Sequence, residues 1–203
     1  MERDGSMSAI KRILSVGKIV SALTRVFVSG GAKNGKSGFA QNLAVQLARG
    51  GKRYYVATMI PVDEEDYARI RKHVADREGL GFTTIECGGD ILSCLSYDTN
   101  GSFLLDSVTA LLQNVMFPPE KNYEMDLQAA EKCAQDVVLF AKSVANAVIV
   151  SDYIYSDAQR YDESTECYRR CLARIDRLLA QVSDTVIEVS AGQLIFHKGG
   201  LPV

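Results

Sequence analysis

Residues 25–37 read Arg25-Val26-Phe27-Val28-Ser29-Gly30-Gly31-Ala32-Lys33-Asn34-Gly35-Lys36-Ser37, and they decide the fold. Arg25–Ser29 is a short apolar run rich in β-branched residues, which predicts a strand. Gly30–Ser37 then fits G-x-x-x-x-G-K-[ST] without exception. Gly38–Arg49 follows with Phe39, Leu43 and Leu47 at helical spacing, and Gly50-Gly51 stops it. Strand, glycine-rich loop and helix make a phosphate-binding loop. Glycines let successive N–H groups turn toward an anion, and the helix N-terminus adds its positive end. Gly30, Gly31, Ala32, Lys33, Asn34, Gly35, Lys36 and Ser37 are the candidate nucleotide contacts. Lys36 would reach the β- and γ-phosphates of ATP or GTP, and the Ser37 hydroxyl would ligate Mg²⁺.

Outward from this loop, strands and helices alternate. Arg53–Thr58 is a second strand, and a helix is expected from the acids at Asp63–Asp66 to about Glu78. Phe82–Cys87 and Phe103–Leu105 read as strands, Val108–Met116 and Tyr123–Ala145 as helices. Ala147–Ser151 reads as a buried strand and Asp162–Gln181 as a helix, with a closing hairpin of Thr185–Ser190 and Gln193–His197. The expected class is α/β, a P-loop domain with a mostly parallel sheet flanked by helices and a C-terminal antiparallel hairpin. A P-loop enzyme also needs a strand-end acid facing Mg²⁺. Asp106 and Asp152 both stand at such ends.

The charge is uneven. The first 62 residues hold ten Lys/Arg and two acids, Glu2 and Asp4, and the remainder hold thirteen and twenty-three. No acid lies between Gly5 and Val62, as suits a segment that meets a triphosphate. The chain of 203 residues, 47% apolar and 24% charged, has ordinary globular composition, which excludes a disordered or collagen-like protein. Two regions are expected: a basic amphipathic extension over residues 1–24 and a single P-loop domain over residues 25–203. In the extension, Ile10, Ile13, Leu14, Val20 and Leu23 fall at helical intervals across Ser8–Leu23. That pattern suits a helix packed on the body or a neighbouring subunit, a membrane-surface segment or a transit peptide. Five cysteines without CxxC spacing predict free thiols in a cytoplasmic protein. No apolar run is long enough to span a membrane. Few aromatics stand in the basic lobe, which argues against nucleic acid as partner.

The residues resemble one family in particular, the adenosylcobinamide kinase / adenosylcobinamide-phosphate guanylyltransferases, or CobU-type enzymes. Val28–Ser37 resembles their P-loop and Tyr55-Val56-Ala57-Thr58 their second strand. Ala68-Arg69-Ile70 with His73, Arg77, Phe82 and Glu86 follows the family pattern, with one extra residue between Arg77 and Phe82. Leu104-Leu105-Asp106-Ser107-Val108-Thr109 resembles the metal-associated segment, and Asn114–Phe117 its continuation. The resemblance covers about residues 25–197. It implies phosphorylation of adenosylcobinamide, then transfer of GMP from GTP to the product through a guanylylated histidine, at the position of His73. It also implies a RecA-like P-loop NTPase fold, nucleotide contacts from Thr58, Arg77 and Glu86, a metal ligand in Asp106, and a trimer. On spacing alone, Arg69, His73 and Arg77 share one helix face, where guanidiniums could neutralise phosphate oxygens or merely form a solvated basic surface.

Two stretches depart from the family. Ser151-Asp152-Tyr153-Ile154-Tyr155-Ser156 replaces Asn-Glu-Val-Gly, keeping an acid but losing the glycines, so its backbone takes another path. Tyr168-Arg169-Arg170, with Ala173, Asp176 and Arg177, replaces a helix that carries Phe-Arg-Asp. A plain P-loop kinase and a non-catalytic nucleotide switch therefore stay open beside the bifunctional reading. His197 reads as structural or exposed.

Overall fold

The computed structural model describes residues 23–202. The expected extension and its Ser8–Leu23 helix lie outside the described residues except for Leu23 and Thr24, and Thr24 already opens the first strand. In chain order the elements are β1 (Thr24–Gly30), α1 (Lys36–Ala48), β2 (Arg53–Ala57), α2 (Glu64–Asp76), β3 (Thr83–Glu86), β4 (Ser102–Asp106), α3 (Val108–Met116), α4 (Leu127–Ser143), β5 (Asn146–Asp152), α5 (Glu163–Val182), β6 (Thr185–Ser190) and β7 (Gln193–Lys198).

The seven strands form one sheet in the order β3-β2-β4-β5-β1-β6-β7. All neighbours are parallel except β6 and β7, which close the chain as an antiparallel hairpin. The strand carrying the phosphate loop is thus separated from the strand ending in Asp106 by β5, the RecA-like arrangement expected from the sequence.

The strands are apolar on both faces because both faces are covered. Phe27, Phe103, Leu105 and Ile149 point into a core with α3, α4 and α5. Their neighbours Val26, Val28, Leu104, Val148 and Val150 point the other way, against Ala40, Leu43 and Ala44 of α1. Many of these side chains are fully buried, and each contributes about 1.5–3 kcal/mol by leaving water.

Two local details differ from expectation. The helix predicted from Tyr123 begins at Leu127. Asn122 and Tyr123 have positive φ, which breaks any helix there, and the Asp126 carboxylate accepts from the Ala129 N–H to cap the later start. The stretch after β3 contains a short 3₁₀ turn at Ile91–Ser96, seated by buried Ile91 and Cys94, for which the sequence carried no clear periodicity.

Candidate active site

Parallel register brings the strand ends together at one edge of the sheet. Gly30 pairs with Asp152, Ala57 with Asp106, and Ala57 with Glu86. Ligands in such sheets bind outside the carboxyl ends of the strands, and the phosphate loop lies there.

The loop's geometry depends on two glycines. A Cβ on Gly30 would stand 2.5 Å from the Val189 carbonyl oxygen, so β1 could not approach β6 with any larger residue. Gly35 has φ 87°, which suits glycine alone, and it turns the chain into α1. That helix starts with no acid in its first turn and no side-chain cap, so its N-terminal N–H groups face outward for an anion. Ala32, Lys33 and Gly35 are exposed, and Gly31, Asn34 and Ser37 are partly so. Lys36 is 6% exposed. Its ammonium lies 2.7 Å from the Asp152 Oδ1 and donates to the Gly31 carbonyl at 2.6 Å. An ammonium has three donors, so a third remains for phosphate.

The two candidate acids divide the work between them. Asp152 pairs with Lys36. The Asp106 side chain is 8% exposed, and the nearby Ser37 hydroxyl favours its ionised form. Its carboxylate also accepts from the Tyr55 hydroxyl at 2.9 Å, with His73 Nδ1 3.8 Å away. Burial pushes the Asp106 carboxyl upward in pKa, an effect opposed by His73, Tyr55 and Ser37.

His73 reaches this acid from α2, which carries no buried residue. Asp63 caps the helix by accepting from the Asp66 N–H, and Glu64, Glu65 and Asp66 fill its first turn. The expected row of Arg69, His73 and Arg77 divides. Arg69 turns back onto Glu65 at 3.4 Å and Asp66 at 3.8 Å. Arg77, at the helix C-cap, lays its guanidinium 4.2 Å from the centre of the Tyr55 ring and donates to Thr84. His73 Nδ1 faces the Tyr55 hydroxyl at 3.4 Å. Tyr55 is therefore the meeting point of Asp106, His73 and Arg77, a role that its place in an apolar strand run does not signal. Burial, and then Asp106, push its phenol pKa far above the ordinary range, so it keeps its proton.

Thr58 is fully buried. Its hydroxyl donates to the Ser107 carbonyl and accepts from the Ser107 N–H, both at 2.8 Å, which ties the turn after β2 to the turn after β4. Asn114 adds a second tie, donating to the Thr58 and Gly88 carbonyls. Glu86 is exposed at the end of β3.

Sequence comparison then decides the family. The profile of CobU, described as cobinamide kinase / cobinamide phosphate guanyltransferase, matches residues 26–196. The chain belongs to the CobU family. No curated protein matches it. Among solved structures it is similar to an ATPase domain, with 11% identity, 97% of this chain and 92% of that one covered, and a TM-score of 0.49. It is also similar to a DnaB-like replicative helicase, with 10% identity, 92% and 57% covered, and a TM-score of 0.47.

As a CobU-family member the chain is a transferase. In the loop after β5, the Tyr153 N–H donates to the Gly30 carbonyl, and the Tyr153 hydroxyl turns toward β6. That hydroxyl donates to Glu188, which also bonds His197 at 2.9 Å. His197 is thus half of a pair that braces the loop. Tyr155 donates to Asp176 at 2.9 Å. Burial raises the Asp176 carboxyl to about 7, opposed by Ser151 and Tyr155. Arg169, 6% exposed, holds the next turn through Asp157, Glu166 and the Gln159 carbonyl. The two departures from the family pattern are therefore one unit: the tyrosines of the loop find their partners in β6 and α5.

Proposed function

We propose that this protein phosphorylates adenosylcobinamide with a nucleoside triphosphate, then transfers GMP from GTP to the phosphorylated product through a guanylylated His73, giving adenosyl-GDP-cobinamide. The observation that carries this is the convergence of His73, Asp106, Ser37 and Lys36 at one sheet edge. A histidine on a helix without buried residues has no packing reason to sit beside a buried strand-end acid, and such a position suits a nucleophile.

In the first step the γ-phosphoryl group passes to the substrate hydroxyl, releasing nucleoside diphosphate and a proton. The loop amides and Lys36 hold the phosphates and offset their charge. Ser37 and Asp106 would hold Mg²⁺, since hard oxygen donors that already converge suit a small divalent ion completed by phosphate oxygens and water. The ion would neutralise charge building on the β- and γ-oxygens. In the second step an imidazole nitrogen of His73 attacks the α-phosphorus of GTP. The N–P bond forms, the bond to the β-phosphate oxygen breaks, and pyrophosphate leaves. The phosphate of the corrinoid then displaces the histidine. Arg77 and Glu86 would contact the nucleotide from the ends of α2 and β3, and Thr58, tied to Ser107, would support that contact.

The test uses GTP labelled at the α- or the γ-phosphate. Acid-labile, alkali-stable α-label that disappears in His73→Ala supports the transferase. γ-Label passed to cobinamide with no covalent α-label leaves a kinase alone, and no turnover with any corrinoid favours a nucleotide switch.

A further inference from the structure

We propose that Tyr55 is a positioning residue that sets the tautomer of His73 and so selects the nitrogen that attacks. This rests on the reading of His73 as the guanylyl acceptor.

The Tyr55 hydroxyl donates to the Asp106 Oδ2 at 2.9 Å, which uses the single tyrosine proton. The tyrosine oxygen also lies 3.4 Å from His73 Nδ1. With its proton committed to Asp106, that oxygen can only accept. The imidazole must then donate, and the proton resides on Nδ1. The lone pair is left on Nε2, the nitrogen turned away from Tyr55 and Asp106. In a neutral imidazole the hydrogen bond made by one nitrogen fixes the state of the other.

Tyr55 is well held for this work. Its side chain lies on β2 and is 3% exposed. The Arg77 guanidinium covers one face of its ring, and the edge-on Phe82 ring stands 6.1 Å away, centre to centre. The hydroxyl therefore cannot follow His73 if α2 shifts, and His73 must come to it. The arrangement has a chemical consequence. When Nε2 forms its bond to the α-phosphorus, the ring becomes cationic with the proton still on Nδ1. Asp106, 3.8 Å from that nitrogen, and the Tyr55 oxygen beside both groups stabilise the charge until the second acceptor takes the GMP. Tyr55 thereby couples Asp106 to the nucleophile.

Two-bond ¹⁵N–¹H correlation spectra of the full ¹⁵N-labelled chain, at about pH 8 and above the ordinary histidine range, read the tautomer directly. The protein has only two histidines, and His73→Ala assigns the remaining signal to His197. The expected result is His73 protonated on Nδ1 in the parent and shifted toward Nε2–H in Tyr55→Phe. Tyr55→Phe should also slow α-label transfer about 10- to 100-fold, the scale of losing a partner that orients a functional imidazole, with little change in KM for GTP. An Nε2–H tautomer in the parent overturns the proposal, whether or not the variant folds. So does an unchanged tautomer and rate in Tyr55→Phe. If His73→Ala keeps its α-label, the guanylyl-histidine reading fails, while the spectra still report on Tyr55 independently.

Discussion

Asp176 offers the sharpest test of the packing around the reworked loop. It stands on α5, 3% exposed, and its Oδ2 accepts from the Tyr155 hydroxyl at 2.9 Å. Burial is the leading cause of the rise of this carboxyl from 3.8 to about 7. Because the folded-state value is raised, the folded protein holds the proton more tightly than the unfolded chain does. The stabilisation is therefore complete below about pH 4 and is lost as pH climbs toward 7. At 1.36 kcal/mol per pKa unit, a rise of this size corresponds to about 4 kcal/mol. Asp176→Asn keeps the size and an oxygen for Tyr155 but cannot ionise. Urea unfolding at about pH 4.5, 6 and 7.5 should show the variant gaining on the parent as pH rises, by about 2–4 kcal/mol across the series. Parallel stability curves for the two proteins would refute the reasoning, because they would mean that the acid is no harder to ionise folded than unfolded.

Other expectations concern the phosphate loop. Lys36→Ala should abolish phosphoryl transfer and weaken nucleotide binding by at least tenfold in a titration with a fluorescent GTP analogue, because the residue supplies the buried cation at Gly31 and Asp152. Gly30→Ala should cost about 1–3 kcal/mol in thermal unfolding, because its Cβ would meet the Val189 carbonyl oxygen at 2.5 Å. It should also impair nucleotide binding beyond that loss, since β1 must move where the loop begins.

The phosphate loop, the order of strands and helices and the strand-end acids were all legible from local chemistry. Turn glycines, helical spacing and apolar runs act over a few residues, so Gly30–Ser37 between an apolar run and an amphipathic one carries its meaning along the chain. Asp106 and His73 were legible as candidates for the same reason, each in a short pattern. What the sequence could not show was who meets whom. Asp106 and Asp152 are equivalent as strand-end acids until β5 is known to lie between β1 and β4, which sets Asp152 opposite Gly30 and against Lys36.

Tyr55 looked like one more apolar strand residue, yet its hydroxyl spans 51 positions to Asp106 and 18 to His73. Arg69 and Arg77 shared a helical row on spacing, but their partners drew one to the helix's own acids and the other to the Tyr55 ring. The acid-free first part of the chain reads as a segment that faces an anion. The tertiary structure supplies the acids set beside it, from strands laid alongside by packing. Local sequence specifies elements through backbone conformation and side-chain periodicity. The pairing of their ends is decided by burial of two sheet faces at once, which only the folded chain resolves.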